Sequence, residues 1–189
     1  MIGHNLDLIK NIFLKSPKTK VAIVGKGSSV GQIDLEGLAN EYFIIALNDA
    51  EVLVEADLSV FHREDLVSNL AENKFKSSYY IAPPYLDLPA DRHIPVAYRT
   101  FGQEAIEKIY SYFEADEFSI LDINLLSAIK LAIIYQQQKK CDIELALVGF
   151  DFYLDAVADG DMQGLEFRNA YLRTQESLLV SLLEYRSGR

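Results

Sequence analysis

The sequence contains little cysteine, little proline and no tryptophan. Its single cysteine, Cys141, excludes an intramolecular disulfide framework and fits a reducing compartment. Only 10 glycines and 5 prolines occur among 189 residues, and 50% of the residues are hydrophobic, which is the composition of a globular chain. No apolar run approaches the roughly 20 residues that a membrane-spanning helix requires. The sequence therefore predicts no transmembrane segment.

Basic residues are outnumbered by acidic ones, 18 to 28, which gives a formal net charge of −10. This charge argues against nucleic acid or an anionic membrane as the main partner, because affinity for both depends on cationic contacts. Four lysines nevertheless lie ahead of or inside a glycine-rich segment: Lys15, Lys18, Lys20 and Lys26. A small anionic ligand near Lys26 would meet locally positive potential, although a solvated, lysine-rich entry segment explains the same pattern.

Short apolar runs alternate with longer amphipathic segments, which is typical of α/β layering. The nearly continuous apolar runs at 20–24, 43–47 and 143–149 are typical of parallel strands covered on both faces. The other expected strands are 58–62, 79–82 and 96–100, and the expected helices are 64–73, 103–114, 123–139 and 163–185. Asp122 is expected to be the N-cap of the helix at 123–139.

The pattern predicts an α/β fold with a mostly parallel, Rossmann-like sheet and helices on both faces. We expect a single domain over residues 1–189, with a helical extension at 1–19 and a helical segment at 154–189. The region 83–95 contains four of the prolines, so we expect it to form an extended surface loop.

The segment VAIVGKGSSVGQID runs from an apolar strand into a turn rich in glycine and serine. Gly25 and Gly27 lie where the strand ends, which is where open α/β sheets bind ligands, and they permit close approach of a phosphate or ribose. Ser28 and Ser29 add hydroxyl donors. The dinucleotide fingerprint matches only in part, because Val30 stands where its third glycine belongs, and the spacing of a P-loop is absent. NAD binding and a turn without a ligand stay open as alternatives.

Polar residues also follow the next two expected strands. Asn48 and Asp49 end the second strand about twenty residues after the glycines, where dinucleotide-binding folds place a ribose-binding acid. His62 and Arg63 end the third strand, where a guanidinium can pair with phosphate. Each position also fits a structural role, with Asn48 as a turn former and His62 as a packed side chain.

Asp151 and Tyr153 follow the last expected strand. The carboxylate there fits a ribose ligand, a base or a metal ligand, and equally a loop-stabilising residue. The three histidines and Cys141 lack the spacing of a zinc site, and neither a Ser-His-Asp set nor a nucleophile elbow is present. We therefore expect no metal site.

Four motifs follow one another along the chain: VAIVGKGSSVGQIDLEGL, FIIALNDAEV, LSVFHRED and ILDINLLSAIKLAIIYQQQKKCDIELALVGFDFY. Their order and spacing over about residues 20–153 resemble the bacterial lipooligosaccharide sialyltransferases of glycosyltransferase family 42, which use CMP-sialic acid. The same glycine loop, Asn/Asp strand end and VGFD pattern occur in a broader group that includes pterin pyrophosphokinase-like proteins and motility accessory factors.

The resemblance implies roles for individual residues. It assigns Gly25, Gly27 and Ser29 to the phosphate and ribose, Asn48 to the sugar nucleotide, and Asp151 with Tyr153 to the surroundings of the nucleotide. In the family, transfer needs no metal, tyrosines assist the departing phosphate, and a histidine beyond the Asp-Phe-Tyr segment deprotonates the acceptor.

The sequence departs from the family at several positions. Lys26 replaces the loop asparagine, Arg63 stands near the second ligand-contacting asparagine, and Asp122 takes the place of a ligand-contacting serine. No histidine follows His93, and Tyr171 lies near the expected position of the family's histidine. A tyrosine with its ordinary pKa near 10 is a poor base. Lys26 and Arg63 are expected to stabilise leaving-group charge.

These patterns together predict a transferase that binds a CMP-activated acidic sugar and passes it to a glycan acceptor, with no cofactor. The expected catalytic residues are Tyr153, Tyr171 and Arg63, and the expected substrate-binding residues are Gly25, Lys26, Gly27, Ser28, Ser29, Asn48, Asp49, His62, Asp122 and Asp151. A homo-oligomer stays open, and the expected location is cytoplasmic, at most peripheral to the inner membrane.

Two other functions stay open. The first is a catalytically degenerate module that binds a nucleotide or a glycan. The second is a Mg²⁺-dependent, pyrophosphokinase-like transferase, which would hold the metal through Asp49, Asp122 or Asp151.

Overall fold

The computed structural model describes residues 2–100 and 106–150. The helices are α1 (Ile2–Lys15), α2 (Leu35–Glu41), α3 (Asp65–Glu72), α4 (Ile106–Glu114) and α5 (Asn124–Lys139). The strands are β1 (Lys20–Val24), β2 (Tyr42–Leu47), β3 (Leu58–Val60), β4 (Tyr79–Ala82), β5 (His93–Pro95), β6 (Tyr98–Arg99), β7 (Ile120–Leu121) and β8 (Glu144–Val148). Two 3₁₀ helices occupy Ser28–Gln32 and Ala50–Val52.

The chain divides into two compact units, and the first, Met1–Gly102 with Asp116–Phe150, holds the sheet and all the features discussed below. Helix α4 belongs to the second unit and is amphipathic, with the sequence IEKIYSYFE. The expectation of a single domain over 1–189 stays a prediction.

Six strands form one sheet in the order β5-β4-β3-β2-β1-β8, and every pair in it is parallel. A separate parallel pair joins β6 to β7. The expected α/β fold with a mostly parallel, Rossmann-like sheet is therefore confirmed. Strand β1 lies between β2 and β8, so the chain builds the sheet outwards from β1 on one side and returns to the other side through β8.

Helices cover both faces of this sheet. On one face, Ala22 and Ile44 pack with Leu35 and Leu38 of α2, and Leu70 of α3 packs in a further cluster with β4. The opposite face carries α1 and α5.

Three aromatic rings join α1 and α5 to the sheet. Phe13 of α1, Phe43 of β2 and Tyr135 of α5 contact one another with ring centroids 4.9–5.5 Å apart. The Tyr135 hydroxyl also donates to the Lys18 carbonyl at 2.6 Å, which fastens α5 to the segment that enters β1. No helix in the described ranges is long and apolar enough to cross a membrane.

Several boundaries differ from those expected. Strand β3 ends at Val60 and not at residue 62, and the strand expected at 96–100 is reduced to Tyr98–Arg99. The loop expected over 83–95 is wrong at its end, because His93–Pro95 forms strand β5 beside β4. A proline is tolerated there because β5 lies at the edge of the sheet, where a missing N–H breaks no ladder.

The start of α5 and the cover on β8 also differ from the expectations. The N-cap of α5 is Ile123 and not Asp122, because β7 runs up to Leu121 and Asp122 lies in the turn that follows. Leu145 and Leu147 of β8 are 41% and 38% exposed, so the described residues do not cover both faces of this strand along its length. Helix α5 packs instead against β1, β2 and β3. The expected helix at 163–185 lies outside the described residues.

Candidate functional site

Polar side chains gather at the carboxyl edge of the sheet, around the end of β1. The glycine loop follows β1, Asn48 and Asp49 follow β2, and His62 lies just beyond β3. Because β2 and β8 flank β1 on opposite sides, this edge is a topological switch point, where open α/β sheets bind ligands. We define the carboxyl-edge cluster as Lys26, Asn48, Asp49, His62, Asn69, Tyr98 and Asn124.

The glycines of the loop permit a close approach between two segments of the protein itself. A Cβ on Gly25 would lie 2.6 Å from the Gly149 carbonyl oxygen, and a Cβ on Gly149 would lie 2.4 Å from Cγ2 of Val30. The Gly25 and Gly27 amides donate to the carbonyls of Val148 and Gly149, each at 2.8 Å. The expected phosphate contacts of Gly25 and Gly27 stay predictions, and they would have to come from groups other than these two amides.

Lys26 and Asp49 form an ion pair at the ends of β1 and β2. Lys26 Nζ lies 2.8 Å from Asp49 Oδ2, and Asn69 Nδ2 of α3 donates to the same oxygen at 2.6 Å. The Lys26 side chain is 45% exposed, whereas that of Asp49 is 11% exposed. The carboxylate is thus fixed by two neighbours, while the ammonium group reaches the surface beside it.

Asn48 connects β2 and β3 to the start of α5. Its φ is 57°, a left-handed conformation that asparagine adopts more readily than most residues. Its carbonyl accepts from Ser59 Oγ at 3.2 Å, and its side-chain Oδ1 accepts from Asn124 Nδ2 at 2.7 Å. The Oδ1 of Asn124 lies 3.0 Å from His62 Nδ1. The three side chains therefore form a continuous hydrogen-bonded series across the edge.

The His62 ring is held by stacking as well. It lies on the Tyr98 ring with centroids 4.6 Å apart and planes 10° from parallel, and the His62 carbonyl accepts from the Tyr85 hydroxyl at 3.4 Å. Burial raises the pKa of Tyr98, and the nearby Asp122 and Tyr85 raise it further. Tyr98 is therefore a neutral partner for the imidazole at neutral pH.

Arg63 points its guanidinium at its own segment. Its Nε donates to Asp65 Oδ1 at 3.0 Å, and Nη2 forms a second bond to the same carboxylate. The pKa of Arg63 is raised by this pairing, and the pKa of Asp65 is lowered by it. The expected role of Arg63 in stabilising a leaving group stays a prediction, and it would require the ion pair to open or to be shared.

The other expected site residues fall into two groups. Ser28 and Ser29 begin the 3₁₀ helix Ser28–Gln32, directly after the glycine loop, and Asp122 precedes α5 with its Oδ1 accepting from the Ile123 amide at 3.1 Å. Asp151, Tyr153 and Tyr171 lie outside the described residues, so their expected roles stay predictions.

Sequence reasoning missed three members of the carboxyl-edge cluster, namely Asn69, Tyr98 and Asn124. Asn124 is the first residue of α5 and is buried. An asparagine at the start of an otherwise apolar helix was a usable signal, because a buried amide requires partners. Asn69 and Tyr98 lie in ordinary amphipathic segments, and nothing in the sequence pattern distinguishes them.

Within residues 2–100 and 106–150, no group of three or more His, Cys, Asp or Glu side chains could hold a metal ion. Of the carboxylates considered for Mg²⁺, Asp49 is paired with Lys26, and Asp151 lies outside these ranges. The metal-dependent alternative therefore gains no support from the described part of the chain.

Comparison of the chain with family models, with curated proteins and with solved structures finds no match. The functional argument therefore depends on the geometry of the carboxyl-edge cluster and on the motifs in the sequence.

Proposed function

We propose that this protein binds a nucleotide-activated sugar at the carboxyl edge of its sheet, most specifically a CMP-linked acidic sugar, and transfers the sugar to a glycan acceptor. The observation that carries the proposal is the pairing of Lys26 with Asp49 at the ends of β1 and β2, beside the topological switch point. The choice of CMP and of an acidic sugar depends on the motif resemblance.

Asp49 is suited to bind a ribose. Both described hydrogen bonds to its carboxylate end on Oδ2, and Oδ1 has no hydrogen-bond partner within the described part of the chain. An ionised carboxylate accepts from several donors, so Oδ1 can accept from a ribose hydroxyl while Oδ2 keeps its bonds. An acid at the end of the second strand is also the ribose ligand of dinucleotide-binding folds.

Lys26 is suited to meet the phosphate. It lies in the loop after β1, its ammonium group is half exposed, and three rotatable N–H donors let it bond to Asp49 and to a phosphate oxygen together. The partly buried position strengthens such a contact relative to bulk water. Lys26 and Asp49 would then fix the two ends of a ribose phosphate.

A binding module without transfer is the second candidate. It is favoured by one observation, the pairing of Arg63 with Asp65, which already compensates the cation expected to stabilise the leaving group. Both candidates require nucleotide binding at the same edge, and they differ in turnover alone.

Calorimetric titration with CMP, CDP, ATP and NAD, each with and without Mg²⁺, tests the proposal. We expect CMP to bind with an affinity that Mg²⁺ does not change. Lys26→Ala should weaken CMP binding by roughly 1–3 kcal/mol, because a charge-assisted contact is lost.

Lys18→Ala is the matched control for Lys26→Ala. Lys18 forms an ion pair with Asp57 at 3.0 Å, but both residues precede their strands and lie at the opposite edge of the sheet. The control makes the same change in net charge and should leave CMP affinity unchanged. An equal loss in both variants would reduce the effect to overall charge, and no binding of any nucleotide would end the proposal.

A further inference from the structure

His62 is the only histidine in the carboxyl-edge cluster; two contacts hold its ring and a third holds its backbone. Asn124 accepts at Nδ1, Tyr98 stacks on the ring face, and Tyr85 holds the backbone carbonyl. Two side chains therefore fix the orientation of the imidazole ring.

The hydrogen bonds also indicate which ring nitrogen carries the proton. Asn124 donates through Nδ2 to Asn48 Oδ1 at 2.7 Å, so its Oδ1 is the atom that faces His62. An amide oxygen only accepts, so this arrangement assigns the donor role to His62 Nδ1. In the neutral imidazole the proton is then on Nδ1, and Nε2 keeps its lone pair.

Nε2 has no hydrogen-bond partner among the residues that the structure describes, and the His62 side chain is partly exposed. Its lone pair is thus available at the same edge as Lys26 and Asp49. A histidine can act as a general base through one ring nitrogen when a neighbouring side chain holds the other nitrogen and so orients the ring.

We propose that His62 is the catalytic base of this site through Nε2, and that Asn124, held by Asn48, is the positioning residue that fixes its tautomer. This inference rests on the proposed function. It supplies a base from the segment that follows β3, in a sequence that has no histidine beyond His93.

The step balances as a direct displacement. Nε2 takes the proton of the acceptor hydroxyl, and the acceptor oxygen forms a bond to the anomeric carbon. The bond from that carbon to the phosphate oxygen breaks, and CMP leaves with the electron pair. With water as the acceptor, the products are CMP and the free sugar, and His62 becomes an imidazolium that Asn124 continues to accept from.

The tautomer is tested first, without any ligand. Long-range ¹H–¹⁵N correlation spectra of the full chain at a pH where His62 is neutral should show its proton on Nδ1. Asn124→Asp, which keeps an acceptor, should preserve that pattern, whereas Asn124→Leu should allow exchange between the two tautomers. A proton on Nε2 in the unaltered protein would overturn the proposal.

Turnover is tested next, by following CMP release from CMP-sialic acid beside calorimetric CMP affinity. His62→Gln should keep CMP affinity within about threefold and slow CMP release by about 100-fold or more, the usual contribution of a general base. His93→Gln, the matched control on edge strand β5, should change neither CMP affinity nor the rate of CMP release.

The outcomes separate the two claims. If CMP does not bind the unaltered protein, the proposed function fails and this inference fails with it. If CMP binds but the unaltered protein releases none from CMP-sialic acid, or if His62→Gln releases it as fast, the role of His62 is overturned while nucleotide binding stands.

Discussion

At the scale of single residues, the glycines that follow β1 and β8 have a structural role, which limits the contacts that they can make with a ligand. Gly149 has a φ of +74°, and any Cβ there would meet Val30 and the Gly25 carbonyl oxygen, the latter at 2.8 Å. The two glycines let the ends of β1 and β8 come into contact, and this contact places Lys26 at the carboxyl edge of the sheet. The glycine loop therefore serves to position Lys26.

Gly149→Ala should be strongly destabilising. A left-handed φ costs a non-glycine residue about 1–2 kcal/mol, and the overlap with Val30 adds a comparable strain, so we expect a loss of roughly 2–4 kcal/mol in the free energy of unfolding. Urea denaturation measures it. Gly31→Ala is the control, because a Cβ there has no neighbour within 4 Å, and it should change stability by less than about 0.5 kcal/mol. Equal stability of the two variants would contradict this account of the loop.

Much of the candidate site is predictable from the polar residues at the ends of the strands. Asn48, Asp49 and His62 were expected there, because polar residues after apolar strands mark the carboxyl edge of a parallel sheet. Their partners were harder to predict. Asn124 lies 76 positions from Asn48 in the chain, and no local pattern indicates which buried amide will meet which strand end.

At the scale of elements, helix α5 is the most buried helix in the described part of the chain, and it carries a lysine into the interior. Lys130 is 3% exposed, and its Nζ donates to the Glu117 carbonyl at 2.5 Å. Burial lowers the pKa of Lys130 to about 8, because the charged form loses its water, and the nearby Glu117 carboxylate opposes this only in part.

Lys130→Met should change how stability depends on pH. The unfolded chain holds this proton up to about pH 10.5 and the folded protein only up to about pH 8, so the unfolded state binds more protons between these values. The free energy of unfolding should therefore rise with pH over that window, by up to about 3 kcal/mol from this group. Urea denaturation between pH 7 and 10.5 measures the effect.

The difference between variants isolates the lysine from the tyrosines that titrate nearby. Lys130→Met should lack the rise that the unaltered protein shows, and Lys15→Met, which removes an exposed lysine of α1, should retain it. If Lys130→Met follows the same pH course as the unaltered protein, the lysine is not held in a desolvated place.

Elements with long apolar runs were predicted to within one or two residues, and short ones were not. Strands β1 and β4 match their expected bounds, since four apolar residues in series leave little choice. Strand β5 has three residues, two of them His93 and Pro95, and its register comes from Ile94 beside Ile81. Such a short strand forms through its pairing with β4, so its own sequence does not predict it.

At the scale of the whole molecule, the sheet order decides where a ligand can bind. Alternating apolar and amphipathic segments predicted a parallel sheet, and the glycine loop, Asn48, Asp49 and Asp151 predicted ligand contacts after its first, second and last strands. The structure puts these three strands side by side. The full order was beyond the sequence, because similar apolar runs can pair with one another in any arrangement.

The net charge of the protein also bears on where an anionic ligand can bind. In a protein with a formal charge of −10, an anionic ligand needs basic groups near its binding site to offset the unfavourable net charge. Lys26 and the half-exposed Arg63 provide the positive groups near the ends of β1 and β3. A nucleotide bound at the carboxyl edge would therefore have basic groups close to its phosphate.

Mapping of backbone amide shifts in ¹⁵N-labelled protein during a CMP titration tests the central claim most directly. We predict saturable shifts at 25–29, 48–50, 62–63 and 124, with none at the amino-edge residues 18–20 and 57–58. A titration that leaves the carboxyl-edge amides unchanged, or that shifts a different surface, would contradict the assignment of a nucleotide site to this edge of the sheet.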